Sequence, residues 1–457
     1  MWRRSSVVHV VDELSRAQRR ERHRVELEVL LVGLAWAAWS VRLELAFLLA
    51  LLGLQRLVGG IAGWIVAAVA VGVVFAIPMS RRWLVALLRA MHVRRAWARA
   101  TIDAGVAAGP FRCPGVWSVS RVPAGDVLDV RVRRGQSVGD LDARREHLAA
   151  CLRAREVRVL RDRGDAARAS VLVIKRDPFE DAAPMSWPAA TANALSLWEP
   201  IPLGVDERGE QVAVELVERN VLIGGEPGAG KSAALSVVIA AAALDPDTRV
   251  WLLDGKLVEL AAWAPVAQRV AGPNGEDALA LLREVRGVMD DRYRELLANG
   301  QRKVRRGDGL PLHLVVCDEL AFYLTVPEKA IQKEFAELLR DVVARGRAAG
   351  VIVCAATQKP GADVVPSALR DLFGFRLAMR CTTPQASDTI LGQGWASAGA
   401  DASDIPGAQR GVGYLLAEGD RPTRMRGYYL SDDDVVAISE RAAAARADKW
   451  LAGGVGA

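Results

Sequence analysis

The sequence predicts an α/β fold with a mostly parallel sheet for the larger, carboxyl-terminal part of the chain. Three apolar runs, residues 221–223, 312–317 and 351–356, each have the composition of a short buried strand. Each run is followed by glycine or polar residues. Because ligands bind at the carboxyl ends of the strands in an open parallel sheet, the three following segments are expected to converge on one site.

The segment after the first run fits the phosphate-binding pattern G-x-x-x-x-G-K-[ST]. It consists of Gly225, Glu226, Pro227, Gly228, Ala229, Gly230, Lys231 and Ser232. Residues 233–244 after it are rich in Ala, Val and Leu, which favours a helix. In this setting the glycines let backbone N–H groups point at a phosphate at the helix N-terminus, Lys231 adds positive charge and Ser232 supplies a magnesium ligand. A chance glycine-rich turn is the weaker alternative, because both flanks agree.

The acidic pair Asp318 and Glu319 follows the second run. Alone, such a pair is a weak signal, because strands often end in solvated acids, but after a phosphate-binding loop it becomes specific. Asp318 is expected to hold Mg²⁺, and Glu319 to orient or deprotonate the attacking water. Gln358 follows the third run and is placed to sense the γ-phosphate of ATP. The sequence therefore predicts a site for ATP and Mg²⁺, with Lys231, Glu319 and Gln358 as candidate catalytic residues.

The composition limits the class of protein. The chain has 457 residues, enough for two or three domains, and 60 Lys and Arg against 54 Asp and Glu give a net charge of +6. Residues 81–100 contain six arginines and no acid. The cysteines show no paired or metal-like spacing; they are Cys113, Cys151, Cys317, Cys354 and Cys381. This pattern indicates reduced thiols and argues against a disulfide framework or a zinc site.

Residues 29–80 have the composition of a transmembrane helical hairpin. Residues 57–79 are uncharged and almost wholly apolar, long enough to cross a hydrocarbon core of about 30 Å. The first half contains Arg42 and Glu44, and because burying that pair is costly, an interfacial or re-entrant first segment is the alternative. Arginines on both flanks favour cytoplasmic ends, which makes residues 1–28 a basic cytoplasmic tail. A cleaved signal peptide does not fit, because the apolar region starts late and is too long.

Three further segments precede the predicted parallel sheet. Residues 81–100 are expected to form a basic juxtamembrane helix, which either lies on anionic headgroups or is a solvated connector. Residues 101–178 are expected to form a small α+β domain, with a β-hairpin at 117–132 and a helix at 140–154. Residues 179–200 are rich in Pro and Ala, which is typical of a linker.

Taken in order, these motifs resemble the FtsK/SpoIIIE family of DNA translocases, and within it the Tra-type transfer proteins of actinomycete conjugative elements. The resemblance covers about residues 116–440. Its motifs are IPLGVDERGEQVAVEL (201–216), LLDGKLVEL (252–260), MDDRYREL (289–296), GRAAGV (346–351), CAATQKP (354–360) and SDTILGQ (387–393). One departure is Gly255, which stands where the family pattern D-P-K-x-x-E-L has proline.

The resemblance implies a RecA-like ATPase domain at residues 201–430, assembled as a homo-hexamer around double-stranded DNA. Such rings place nucleotide between subunits and use an arginine of the neighbour, which alignment puts at Arg376, with Arg345 and Arg347 as rivals. Residues 431–457 are expected to be a helix and tail, too short for the winged helix that reads polarity sequences in chromosomal translocases. Either a separate DNA-recognition or pore protein supplies that function, or the DNA is moved without being read.

The function predicted first is a membrane-anchored, ATP-driven translocase of double-stranded DNA for conjugative or intercellular transfer. It would be a multi-pass protein of the cell membrane with its ATPase domain in the cytoplasm. One alternative is a chromosome-segregation pump at the division septum. A protein-secretion ATPase is another, although those usually carry several ATPase modules and this chain has one phosphate-binding loop. A nucleotide-gated scaffold without turnover is disfavoured by the intact catalytic residues.

Overall fold

The chain divides into two compact units, Met1–Arg176 and Asp177–Ala457. The computed structural model describes residues 78–107, 112–180, 183–361, 364–417 and 421–453, with six isolated positions between 52 and 65. The basic tail and nearly all of the predicted hairpin at 29–80 lie outside the described residues. Within the described ranges, no helix combines the length and the apolar character needed to cross a bilayer.

The described part of the first unit packs three helices on one antiparallel sheet. Its elements are α1 (Pro78–Asp103), β1 (Gly115–Val122), β2 (Gly125–Arg131), α2 (Val138–Ala143), α3 (Arg145–Leu152), β3 (Glu156–Arg161) and β4 (Arg168–Ile174). The strand order is β1-β2-β4-β3, and β1 and β2 form the hairpin expected at 117–132. The single helix expected at 140–154 is instead two helices that meet at Arg144, where the backbone leaves the helical region.

Helix α1 belongs to the core of this unit. Val93, Trp97 and Ala100 are buried in one apolar cluster with Leu128 of β2, and the Trp97 indole donates to a backbone carbonyl at 3.2 Å. The small domain expected to begin at residue 101 therefore includes the carboxyl-terminal half of α1. The sequence pattern showed an amphipathic basic helix, but the apolar part of its carboxyl-terminal half packs on the sheet of its own unit. A fragment that starts at residue 101 would leave that face of the sheet uncovered.

The second unit is built on one larger sheet. Its strands are β5 (Ile201–Asp206), β6 (Gln211–Val214), β7 (Val221–Gly224), β8 (Thr248–Leu253), β9 (Ala267–Ala271), β10 (Leu312–Cys317), β11 (Val351–Thr357), β12 (Phe375–Met379), β13 (Val412–Leu416) and β14 (Thr423–Gly427). Its α-helices are α4 (Lys231–Ala243), α5 (Gly275–Ala298), α6 (Leu320–Leu324), α7 (Lys329–Arg345), α8 (Ser367–Arg370), α9 (Pro384–Leu391) and α10 (Asp432–Gly453). Short 3₁₀ helices occur at Ala261–Val266 and Ala402–Asp404.

The described strands of the second unit pair in the order β6-β5-β14-β13-β12-β7-β11-β10-β8-β9. From β12 to β9 all neighbours are parallel, whereas β13, β14, β5 and β6 are antiparallel to their neighbours. The prediction of an α/β fold with a mostly parallel sheet is therefore confirmed. Strands β7, β10 and β11 are buried along their whole length, because α4 and α10 cover one face of the sheet and α5 and α7 the other.

The segment expected to be a linker, residues 179–200, is packed against the second unit. Phe179, Trp187 and Leu197 are each at most 4% exposed, and the Trp187 indole donates to the Pro202 carbonyl at 2.9 Å. Its Pro and Ala content explains why it forms no long helix or strand. Three large apolar side chains spaced along it nevertheless hold it in the core, so it is part of this unit.

A buried ionic network fixes the start of the second unit. Arg424 of β14 donates to both carboxylate oxygens of Asp177 at 3.0 and 2.8 Å and to Glu207 at 2.9 Å, and the residue is only 9% exposed. Gln409 adds hydrogen bonds to both Asp177 and Arg424, and the guanidinium lies over the Phe179 ring. The network joins the first residues of the unit to strands far apart in sequence.

Replacing the central cation of this network should destabilise the second unit strongly. In Arg424→Met, Asp177 and Glu207 would remain buried without their partner, and the free energy of unfolding should fall by about 3–5 kcal/mol. Arg294→Met, at an exposed ion pair on α5, should change it by less than about 0.5 kcal/mol. Urea unfolding of the two variants at neutral pH measures the difference. Equal stability of both would show that the network contributes little.

The stability that the network contributes should depend on pH, because the pKa of Asp177 is lowered in the folded chain. Burial alone raises that pKa, but the hydrogen bonds from Arg424 and Gln409 outweigh burial and lower it to about 2. The stabilisation by this carboxylate is therefore present above the pKa of an unfolded Asp, about 3.9, and is lost as the pH falls towards 2.

Candidate functional site

The phosphate-binding loop connects β7 to α4, as the sequence predicts. Lys231 is the first residue of α4, and Gly230 caps the helix in a left-handed conformation with φ of 112°. A Cβ atom at Gly230 would lie 2.9 Å from the Gly411 backbone, so this position requires glycine for its conformation and for the close approach of the next segment. The N–H groups at the start of α4 are therefore left open towards the cavity in front of the loop.

Lys231 is held over this loop. Its Nζ donates to the carbonyls of Gly225 and Glu226, both at 2.8 Å, and the residue is 7% exposed. Burial lowers the pKa of Lys231 to about 8, while the negative charge of Glu319 acts in the opposite direction. The ammonium group of Lys231 thus contacts two backbone carbonyls of the loop. These carbonyl oxygens accept its hydrogen bonds in place of the phosphate oxygens that the motif is suited to bind.

Asp318, directly after β10, presents an unsatisfied carboxylate oxygen at the same cavity. Its Oδ1 accepts from the Gly255 backbone at 2.9 Å, whereas its buried Oδ2 has no hydrogen-bond partner among the described residues. Burial raises the pKa of Asp318 to about 6, with a further upward contribution from Asp254. A carboxylate oxygen and the Ser232 hydroxyl are hard oxygen donors, so the residues present fit Mg²⁺.

Glu319 connects the ends of β10 and β11. Its Oε1 accepts from the Thr357 hydroxyl at 3.0 Å and from the Gln358 backbone N–H at 3.1 Å. Gln358 lines the cavity together with Lys231, Ser232 and Asp318, whereas Glu319 is not among the lining residues and reaches the site through its hydrogen bond with Gln358. The three predicted segments therefore converge. The expected roles of these side chains in hydrolysis remain predictions.

The cavity has a volume of about 580 Å³ and contains a pair that the sequence analysis did not assign. Lys256 and Glu259 lie in the segment after β8, and their side chains form an ion pair at 3.2 Å. Burial raises the pKa of Glu259, but hydrogen bonds from Ser232 and Lys256 outweigh it and lower the pKa. Glu259 and the Ser232 hydroxyl, which is expected to bind Mg²⁺, therefore lie close together in the cavity. The motif LLDGKLVEL was the available signal, since it follows a buried strand that ends at the same sheet edge.

The loop itself is anchored by another pair that the sequence did not reveal. Glu226 forms an ion pair with Arg380, and its backbone N–H donates to the Arg380 carbonyl at 2.9 Å. Arg380 follows β12, the strand next to β7 in the sheet. This contact is long-range in sequence, so only the strand order brings the two residues together.

The three candidate arginine fingers lie away from this cavity. Arg376, near the amino-terminal end of β12, donates to the Phe373 carbonyl at 3.2 Å and pairs with Asp371 at 3.4 Å. Arg347 and Arg376 line a second cavity. This cavity lies near the start of β12, whereas the phosphate-binding loop follows the end of the parallel strand β7. Arg345 forms ion pairs with two acids of α5 and α7. Within one subunit, none of the three lines the nucleotide cavity.

Comparison with known proteins agrees with this geometry. Residues 187–402 match the family model described as FtsK/SpoIIIE family. The chain is 29% identical over 282 residues to DNA translocase FtsK of Lactococcus lactis subsp. cremoris, covering 55% of this chain and 35% of that protein. It is 27% identical over 258 residues to DNA translocase SftA of Bacillus subtilis, covering 51% and 25%. The chain thus spans a quarter to about a third of the length of these relatives.

One solved structure supports the fold over a longer range. The pCW3 conjugation coupling protein TcpA, in its monomer form with ATPγS, superposes with a TM-score of 0.52 at 16% identity. The match covers 77% of this chain and 99% of that one. At this identity the likeness shows the fold alone, an α/β fold with a largely parallel sheet.

The role of Glu319 can be tested by the isosteric change Glu319→Gln. The amide can still accept from Thr357 but is a poor base, so ATP affinity should stay within about threefold while hydrolysis falls about 100-fold or more. The matched control is Glu337→Gln on the exposed face of α7, which should hydrolyse ATP normally. Nucleotide binding and phosphate release measure the two quantities. Normal hydrolysis by Glu319→Gln would remove this residue from the catalytic role.

Proposed function

We propose, from the premise that residues 187–402 form an FtsK/SpoIIIE family ATPase domain, that this protein is a membrane-anchored motor that moves double-stranded DNA. The observation that carries the proposal is the convergence of Lys231, Ser232, Asp318 and Gln358 on one cavity. We place the motor in conjugative or intercellular DNA transfer, because its motifs resemble those of Tra-type transfer proteins. Chromosome segregation is the second candidate, favoured by relatives named DNA translocase FtsK.

ATP with Mg²⁺ supplies an electrophilic phosphorus for in-line attack by water. Lys231 would exchange its hydrogen bonds to the Gly225 and Glu226 carbonyls for phosphate oxygens. Asp318 Oδ2 and the Ser232 hydroxyl would hold the metal. Glu319 would orient the water and receive its proton. The protein contributes mainly position and electrostatics, which is the general pattern for phosphoryl transfer.

The contacts of Glu319 with Thr357 and Gln358 would couple ATP hydrolysis to a conformational change in the sheet. A change in the hydrogen bonding of Glu319 reaches β11 directly, because both its side-chain partner and its backbone partner lie at the end of that strand. The segment after Gln358 leads to α8 and then to β12, which carries Arg376. The state of the phosphate can thus be transmitted to the edge of the sheet that bears the candidate finger.

The distribution of charge supports a polyanionic partner. Residues 78–176 contain 21 Lys and Arg against 9 Asp and Glu, a net charge of +12. Residues 177–457 contain 30 against 39, a net charge of −9. The first unit is therefore better suited than the ATPase unit to a large, diffuse contact with DNA phosphates, and such contacts carry no sequence information.

We also propose a homo-hexameric ring in which Arg376 acts on the nucleotide of the neighbouring subunit. The position of Arg376 supports this proposal. The residue lies near the start of β12, away from its own phosphate-binding loop, and lines a separate cavity. An arginine supplied by the neighbour stabilises charge on the transferring phosphate. Arg345 is less suited, because its guanidinium is engaged by Asp290 and Asp341 of its own chain.

Mixing two inactive variants tests the action of Arg376 across the interface. Arg376→Ala and Lys231→Ala should each hydrolyse almost no ATP alone. Mixed in equal amounts and reassembled, they should recover up to about a quarter of the wild-type rate, because that fraction of interfaces pairs an intact loop with an intact arginine. Arg345→Ala is the matched control and should retain activity. Normal hydrolysis by Arg376→Ala would place the finger elsewhere.

The proposed function as a whole is tested by the ATPase rate of the full chain in detergent, with and without duplex DNA. Duplexes of unrelated sequence should stimulate the rate several-fold and to the same extent. The stimulation should fall steeply as salt rises, since phosphate contacts release counterions. An ATPase that ignores duplex DNA but responds to a polypeptide would contradict DNA translocation and favour protein export.

A further inference from the structure

The cavity in front of the phosphate-binding loop extends well beyond the residues that bind phosphate. At one end it is lined by Lys231, Ser232 and Asp318, the candidate phosphate and metal ligands. Four further residues line it: Pro184, Arg426, Tyr428 and Tyr429. None of the four belongs to a motif named above or takes part in the proposed mechanism.

Backbone hydrogen bonds hold Arg426 and Tyr428 beside the phosphate-binding loop. The Gly411 N–H donates to the Ala229 carbonyl at 2.9 Å, and the Gly427 N–H donates to the Gly411 carbonyl at 2.8 Å. Gly427 lies between Arg426 and Tyr428 at the end of β14. These two hydrogen bonds thus fix this wall of the cavity relative to the phosphate-binding loop.

A second set of backbone contacts completes the wall. The Tyr429 N–H donates to the Met185 carbonyl at 2.8 Å, and the Trp187 N–H donates to the Tyr429 carbonyl at 3.2 Å. Trp187 is 2% exposed, so the segment that carries Pro184 is anchored in the core. Tyr428, Tyr429 and Pro184 therefore line the cavity on segments that backbone hydrogen bonds hold in place.

Arg426 is the unusual member of this wall. The residue is 7% exposed, and its buried Nη1 has no hydrogen-bond partner among the described residues. Burial lowers the pKa of its guanidinium, and no carboxylate within the described part of the chain offsets that cost with an ion pair. A buried donor without an acceptor destabilises a protein, so its presence in a ligand cavity indicates that a ligand supplies the acceptor.

We propose that Arg426, with the apolar surfaces of Tyr428 and Pro184, forms the subsite for the nucleoside part of the bound nucleotide. Guanidinium has only donors, so its partner would be an acceptor, a ring nitrogen of the base or a ribose oxygen. The phosphate end of the cavity is already served by Lys231 and the loop N–H groups. This inference rests on the proposed nucleotide-binding function and adds a recognition residue to it.

The test is a comparison of two ligands on the full chain in detergent. A fluorescent ATP analogue reports nucleotide binding, and inorganic tripolyphosphate, which has no nucleoside, competes for the phosphate end alone. In Arg426→Met the Kd for the analogue should rise at least tenfold, while the Kd for tripolyphosphate stays within twofold. The melting temperature should be unchanged or higher, because an apolar side chain replaces an unpaired buried charge.

Two controls make the outcomes distinguishable. Arg421→Met, at an exposed position just before β14, should bind both ligands like the wild type. Arg426→Lys keeps the charge with fewer donors and serves if the Met variant does not fold; it should show an intermediate loss for the analogue alone. Failure of the wild type to bind either ligand would contradict the proposed function instead.

The inference is overturned by any of three results. An unchanged Kd for the analogue in Arg426→Met would show that Arg426 does not recognise nucleotide. An equal loss for the analogue and for tripolyphosphate would make it a phosphate contact. A lower melting temperature with normal binding would give Arg426 a structural role only.

Discussion

The parallel pairing of β7, β11 and β10 is the constraint on which the nucleotide site depends. In this register Ile223 pairs with Ala356 and Cys317 pairs with Ala355, so the three strands end at nearly the same level. The loop, the acidic pair and Gln358 therefore emerge side by side. A slip of one residue in any strand would turn its buried side chains towards the opposite face, and the apolar layers on both faces oppose that slip. The hydrogen bonds that Glu319 accepts from Thr357 and Gln358 complete the alignment.

Much of this site could be predicted from sequence, because its determinants are local. A buried strand followed by a loop motif or an acidic pair occupies twelve residues or fewer, and parallel topology supplies the convergence. What the sequence did not reveal depends on contacts between distant segments. Glu226 meets Arg380 only through the strand order, and Phe179 and Trp187 are buried although their surroundings have the composition of a linker. For α1, the pattern showed an amphipathic helix but not which surface would cover its apolar face.

Strand β14 carries two buried arginines that differ in their hydrogen-bond partners. Arg424 and Arg426 are two residues apart, and both are at least nine-tenths buried. Arg424 is satisfied by Asp177, Glu207 and Gln409, whereas Nη1 of Arg426 has no partner among the described residues. The carboxylates divide in the same way: the pKa of Asp177 falls to about 2 beside Arg424, and that of Asp318 rises to about 6 at the cavity. The charges of the Arg424 network are satisfied within the chain and hold the unit together, whereas Asp318 and Arg426 each keep a buried atom without a partner among the described residues at the cavity.

If hydrolysis at this site drives movement along duplex DNA, the full chain in detergent should displace the third strand of a triplex placed at one end of a long duplex. Displacement should require ATP and Mg²⁺, should follow a delay that grows with the length of duplex to be travelled, and should not occur with ATPγS. ATP hydrolysis at a DNA-stimulated rate without displacement of the third strand, at any duplex length, would contradict movement driven by hydrolysis.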